Sequence, residues 1–133
     1  MEHRFTTTHQ VFFKTSTSLP ERKEESIDLV VTSPPYPMIA MWDDQFCSID
    51  PSIRDALSRD DGMRSFELMH LQLDAVWDEC ARLLKPGGFA CINIGDATRT
   101  LGKQFRLYPN HSRIIDKFLK LQFTVLPLIL WRK

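Results

Sequence analysis

Apolar positions along the chain change period several times, and each change predicts an element. Ile27-Asp28-Leu29-Val30-Val31-Thr32 is a β-branched run that stops at Ser33-Pro34-Pro35-Tyr36, as expected of a strand delivering a rigid turn to a sheet edge. Between positions 66 and 84, Phe66, Met69, Leu73, Val76, Trp77, Cys80, Leu83 and Leu84 recur at three- and four-residue steps. That stripe predicts a helix over Phe66 to Leu84, with Ser65 as N-cap and Lys85-Pro86-Gly87-Gly88 as its stop. Phe89-Ala90-Cys91-Ile92-Asn93-Ile94 follows as a buried strand ending at Gly95-Asp96. Ser112 to Leu121 reads as a shorter helix with Ile114, Ile115, Phe118 and Leu119 apolar. Phe123 to Trp131 reads as a last strand, which Pro127 confines to an edge or a bulge. Val11-Phe12-Phe13 is a short strand candidate, and positions 37–65 read as a long, mobile loop with a short helix at Ser52 to Ser58. There is no internal repeat, and 133 residues predict a single domain with a real core.

The corner at 33–36 carries the chemistry. Proline lacks a backbone N–H, so the carbonyls of Ser33 and Pro34 meet little local competition and are free to accept from a ligand. Tyr36 adds a flat face beside them. Acceptors next to a stacking platform are what holds an everted nucleobase by its exocyclic amine. In this setting Ser33-Pro34-Pro35-Tyr36 resembles the [DNS]-P-P-[YFW] motif of the amino-methylating DNA methyltransferases. The serine form after Asp-Leu-Val-Val-Thr is most similar to the cytosine-N4 enzymes of the permuted N4/N6 group. Helix, Leu-Lys-Pro-Gly-Gly and hydrophobic strand, then a closing Trp131-Arg132-Lys133, resemble the same family from Val11 to Lys133.

The resemblance implies an α/β fold, half of the doubly wound Rossmann-like methyltransferase sheet, with S-adenosyl-L-methionine as cofactor and double-stranded DNA as partner. It implies catalytic roles for Ser33, Pro34, Pro35 and Tyr36. The Ser33 hydroxyl and Pro34 carbonyl would accept both amine hydrogens, and no cysteine nucleophile is needed. Where the family carries Gly-Asp-Ser after its first strand, this chain has Lys14-Thr15-Ser16, which makes Thr15 the cofactor-side candidate but removes the acid. No F-x-G-x-G occurs; the glycines are Gly62, Gly87, Gly88, Gly95 and Gly102. The expectation is therefore the catalytic half of a split or truncated enzyme, paired with a polypeptide carrying that motif and the target-recognition region, or with another copy of itself. Adenine-N6 methylation and a non-catalytic remnant of a restriction-modification system are the alternatives.

Composition adds bounds. A hydrophobic fraction of 43% and a charged fraction of 26% are ordinary for a water-soluble domain. The formal net charge is zero, but eight Lys/Arg against one acid lie from Ala97 onward, and nine against sixteen before it. Arg99, Lys103 and Arg106 are accordingly the DNA-phosphate candidates. Asp96, at a carboxyl strand end, is a second cofactor-side candidate. Cys47, Cys80 and Cys91 share no close spacing, His3, His9 and His70 have no carboxylate or cysteine at metal-ligand spacing, and His111 beside Ser112 reads as helix-entry chemistry, so neither a disulfide framework nor a metal site is expected. Met1-Glu2-His3-Arg4 has no apolar h-region, and the longest apolar run is too short to span a bilayer, so a cytoplasmic protein without a membrane anchor is expected.

Overall fold

A 22-residue helix, α3 (Gly62–Leu83), organises the core. Its apolar stripe buries Phe66, Met69, Leu73, Trp77 and Leu83, as the three/four spacing dictates. The chain is described here over residues 5–132 of a computed structural model; the readings made on Met1-Glu2-His3-Arg4 and Lys133 lie outside those residues. The helix begins four residues before the apolar stripe does. Asp61, not Ser65, is its N-cap, accepting from the Arg64 N–H at 3.1 Å, while the buried Ser65 hydroxyl donates to the Asp61 carbonyl at 2.8 Å.

Strand β1 (Ile27–Thr32) pairs in parallel with β2 (Leu84–Ile92), which leaves α3 directly. Leu29 faces Phe89, Val31 faces Cys91 and Thr32 faces Ile92. The register is broken between Ile27 and Leu29, where Lys85-Pro86-Gly87-Gly88 takes up the extra length. A side chain on Gly88 would come within 2.9 Å of the Lys85 carbonyl and 3.1 Å of the Asp28 carbonyl, so only glycine lets the two backbones approach there. Side chains alternate across the sheet. Ala90, Ile92 and Ile94 pack toward the core, whereas Leu29, Val31, Phe89 and Cys91 stand exposed on the other face.

Three expectations are corrected. Positions 37–65 are largely helical: α2 (Pro51–Ser58) falls where a short helix is expected, but a 3-10 turn at Ala40–Trp42 and α1 (Asp43–Ile49) replace the loop before it. The 3-10 turn and α1 are two turns or fewer, too short to display a legible stripe. Local chemistry forms the short helices: Asp43 and Asp44 complement the positive end of α1, and Asp50 caps α2 by accepting from the Ser52 N–H at 2.9 Å, with Pro51 at the first helical position. Phe46, Cys47, Ile53 and Ala56 then bury against α3. Second, Phe123 to Trp131 forms no ladder, because no strand among the described residues lies alongside to pair with it. Only Phe123 docks, edge-on to Phe118 with ring centroids 5.1 Å apart, and Ile129 and Leu130 are 95% and 88% exposed. Of the four strand candidates, two form the parallel sheet. Third, Val11-Phe12-Phe13 is unpaired coil, with the Arg22 guanidinium 5.5 Å over the Phe12 ring. The second helix falls where its pattern placed it, as α4 (Asn110–Lys120). Between the sheet and α4 an antiparallel hairpin, β3 (Ala97–Leu101) and β4 (Gln104–Tyr108), buries Ala97 and Tyr108 at its base.

A charged clip fastens the amino-terminal coil to the end of α3. Arg82 donates to the carbonyls of Leu19 and Arg22 and to Glu79, and Glu79 accepts from the Leu19 N–H at 2.6 Å. The guanidinium holds the Glu79 carboxyl well below its usual range, at about 2. Hydrogen bonds to a charged group contribute about 1.5–3 kcal/mol. Arg82→Ala should therefore speed proteolytic cleavage within residues 14–24 by roughly tenfold or more, with the α3 core intact; an unchanged cleavage rate would exclude the clip.

Candidate active site

Parallel pairing places the carboxyl ends of β1 and β2 side by side, the position at which open α/β sheets receive ligands. Ser33-Pro34-Pro35-Tyr36 leaves one strand and Asn93-Ile94-Gly95-Asp96 the other. The Asn93 N–H still donates to the Thr32 carbonyl at 2.9 Å, so the two exits separate only beyond that bond. Pro34 is buried, Pro35 and Tyr36 are half-buried, and Ser33 is exposed, so the corner is anchored by its prolines and presents its hydroxyl outward. Ser33 Oγ lies 3.4 Å from the Tyr36 hydroxyl. The Tyr36 ring lies over Gly95, where an added methyl would touch it at 3.4 Å.

The exit of the corner is under backbone strain and is held from two helices. Met38 is buried with φ of +68°, a left-handed conformation that costs a non-glycine residue roughly 1–2 kcal/mol. Its N–H donates to Met69 Sδ at 3.3 Å, and the Ile39 N–H closes the turn on the Tyr36 carbonyl at 3.2 Å. From α4, the fully buried Asn110 donates from Nδ2 to the Pro37 carbonyl and to the Gly95 carbonyl, both at 3.0 Å. Those two acceptors fix its amide orientation, so Oδ1 must accept from His70, whose Nε2 is 2.9 Å away. His70 is therefore the Nε2–H tautomer. Its Nδ1 is buried without a partner, and Phe66 packs edge-on at 4.5 Å.

Asp96 accepts from the His111 N–H at 3.1 Å and pairs with His111 Nδ1 at 2.7 Å, tying the end of β2 to the start of α4. Thr15 is exposed and bonds Thr17. The expectation for Arg99 changes: its guanidinium makes a two-point pair with the Asp43 carboxylate at 2.8 and 2.7 Å, so it docks the hairpin on α1 instead of facing phosphate. Lys103 and Arg106 remain exposed on the hairpin. Asn110 and His70 were missed. The signal for them is slight: His70 interrupts the apolar stripe of α3, and Asn110 follows Pro109 at a helix start.

A cleft of about 350 Å³ runs between the amino-terminal coil, β1 and α3, lined by Phe12, Leu19, Val30, Val76 and Cys80 and reaching Thr32, one residue short of the corner. Its carboxylate, Glu79, is already engaged by Arg82 and Leu19. Among the described residues no glycine-rich turn leads from a strand into a helix N-terminus, the usual cradle for a nucleoside cofactor. Among the described residues no group of His, Cys, Asp and Glu side chains is placed to hold a metal ion, and no helix is long and apolar enough to cross a membrane.

Burial is the main cause that lowers the His70 pKa to about 4, against the opposing hydrogen bond from Asn110. The unfolded imidazole gains its proton near pH 6.5, whereas the folded one stays neutral until about 4. Stability should be complete above pH 6.5, fall by roughly 3 kcal/mol as pH drops toward 4, and change no further through this group below that. Urea unfolding at pH 7 and pH 4.5 measures the loss, and a His70→Gln chain, which keeps a donor for Asn110, should show a flatter slope. Equal slopes in the two chains would exclude His70 as the source.

Comparison with known proteins agrees with this architecture. A family model described as DNA methylase matches residues 27–133. The type II methyltransferase M.MthZI of Methanothermobacter thermautotrophicus is 53% identical over 128 residues, covering 96% of this chain and 36% of the relative. The type II methyltransferase M.MjaI of Methanocaldococcus jannaschii is 47% identical over 139 residues, covering 96% and 46%. The chain therefore spans less than half the length of these relatives. TTHA0409 of Thermus thermophilus, described as a DNA modification methylase and solved with S-adenosyl-L-methionine, superposes with a TM-score of 0.58 at 29% identity, over 84% of this chain and 37% of that one. The fold is thus part of the S-adenosylmethionine-dependent methyltransferase sheet, and the chain belongs to the N4/N6 DNA methyltransferase family.

Proposed function

We propose that this chain is the catalytic portion of a DNA methyltransferase that moves a methyl group from S-adenosyl-L-methionine to the exocyclic N4 amine of cytosine in duplex DNA. The observation that carries this reading is the corner itself. An exposed Ser33 hydroxyl, a buried proline anchor and the Tyr36 ring over Gly95 sit together at the carboxyl end of β1. The cytosine amine is a poor nucleophile because its lone pair is delocalised into the ring. Ser33 Oγ and the Pro34 carbonyl accept its two hydrogens, which favours a more pyramidal nitrogen and fixes its direction. Tyr36 stacks on the extruded base and keeps it from returning to the duplex. Positioning and electrostatics supply the acceleration, and no covalent protein–base bond is needed.

The cofactor, when bound, supplies the sulfonium methyl. In this reading its cradle is carried by a second polypeptide or by further sequence with the F-x-G-x-G motif and the target-recognition region; a second copy of this chain is the other candidate partner. Lys103 and Arg106 on the β3–β4 hairpin are the phosphate contacts in this reading, with Arg99 behind them as a strut. The protein acts in the cytoplasm, where it meets DNA. Thr15 and Asp96 are secondary cofactor-side candidates, Asp96 through its place beside Tyr36 and Gly95.

The test is methyl transfer to DNA by the assembled enzyme, followed by digestion to nucleosides and mass analysis. N4-methylcytosine is the expected product; N6-methyladenine would move the assignment to the other amine served by such a corner. Ser33→Ala and Tyr36→Ala should each lower turnover by about a hundredfold or more while the fold is retained. Unchanged turnover in both would make the chain a non-catalytic subunit.

A further inference from the structure

One peptide group at the exit of the corner is gripped at both ends. Between Pro37 and Met38, the carbonyl oxygen accepts from Asn110 of α4 and the N–H donates to Met69 of α3. The next dihedral is the strained φ of Met38, so this peptide plane sets where residues 33–36 point. The second amide hydrogen of Asn110 goes to the Gly95 carbonyl, on the residue against which Tyr36 packs. One buried side chain therefore measures the distance between the two strand exits that form the site. His70 holds that side chain in the only amide orientation that donates to both carbonyls.

We propose that Asn110 is the positioning residue of the catalytic corner, registering the Pro37 carbonyl against the Gly95 carbonyl with its two amide hydrogens, and that His70 sets its orientation. The proposal rests on the methyl-transfer reading for its catalytic consequence, but not for its structural one. Without the Asn110 amide, the buried Pro37 carbonyl and the half-buried Gly95 carbonyl lose their donor, and the left-handed Met38 loses one of its two restraints. The corner then relaxes, and the amine acceptors leave the line of attack. Binding of DNA through the hairpin is untouched, so the defect falls on kcat and not on KM.

Two readouts separate the parts. Amide hydrogen exchange is measured by NMR on the full chain, alone or in its assembled enzyme, for the wild type, Asn110→Ala and Asn110→Asp. Asn110→Ala should speed exchange of the Met38 and Ile39 amides by about tenfold or more, with α3 amides such as those of Leu73 and Trp77 unchanged. Asn110→Asp keeps the size but as a carboxylate cannot donate, so it should show the same local acceleration near pH 8. The acceleration should diminish as the pH falls and a protonated Asp donates to one carbonyl again. If Asn110→Ala does not fold, Asn110→Asp decides alone. Methyl transfer is measured in parallel, with kcat expected to fall at least tenfold and KM for DNA to stay within about twofold. Unchanged Met38 and Ile39 exchange in a folded variant, or a loss confined to KM, would overturn the proposal. A wild-type assembly that transfers no methyl would remove the methyl-transfer reading, and the exchange result would still decide whether Asn110 sets the corner.

Discussion

Parallel pairing of β1 with β2 is the constraint from which the site follows. Parallel neighbours need a crossover, here provided by α1, α2 and α3, and the crossover delivers both strands to the same edge of the sheet. An antiparallel pair of the same sequences would place Ser33 and Gly95 at opposite ends. With the pair parallel, the Thr32 carbonyl still bonds Asn93, Tyr36 reaches Gly95, and the two exits remain close enough for one asparagine to bond both. The closeness of the strands in turn depends on Gly88, whose missing side chain lets the Lys85–Gly88 bulge pass the Asp28 backbone.

How much of this was legible depends on how far each signal reaches along the chain. The stripe of α3, the β-branched run of β1 and the apolar run of β2 are long and local, and their elements appear there, although α3 begins four residues early, β2 five residues early, and β2 buries only one of its faces. So does α4, to within two residues at its start. The corner was legible because proline and tyrosine announce themselves by composition. The short helix α2 was, to within one residue at its start, but α1 was not, since two turns display no period and its cap, Trp42, is an ordinary residue without a tertiary setting. The β3–β4 hairpin was missed for a similar reason: Leu101-Gly102-Lys103-Gln104 carries no strong turn pair, and Phe105 and Leu107 face outward. His70 and Asn110 lie 40 positions apart, and only tertiary packing makes them a unit.

Charge shows the same lesson in another form. The basic excess after Ala97 looked like a footprint for a polyanion. Three of its eight bases are answered inside the protein by the acidic excess that precedes it. Arg99 pairs with Asp43, Arg113 with Glu67 and Asp74, and Lys117 with Asp78. The acids of α1 and α3 and the bases of β3 and α4 are two halves of one complement that brings distant segments into register. Lys103 and Arg106 on the hairpin stand outside these pairs, as do the exposed Lys120 and Arg132.

The three thiols divide along the two faces of the sheet. Cys47 is buried and Cys80 largely so, and burial pushes both thiols up from their ordinary range, which makes them poor nucleophiles. Cys91 is exposed opposite Val31, on the face where Leu29 and Phe89 also stand bare. A small alkylating reagent would therefore mark that sulfur ahead of the other two, and any subunit or further helix laid over the sheet would shield it. The molecule carries its own chemical gauge of whether its second layer is in place.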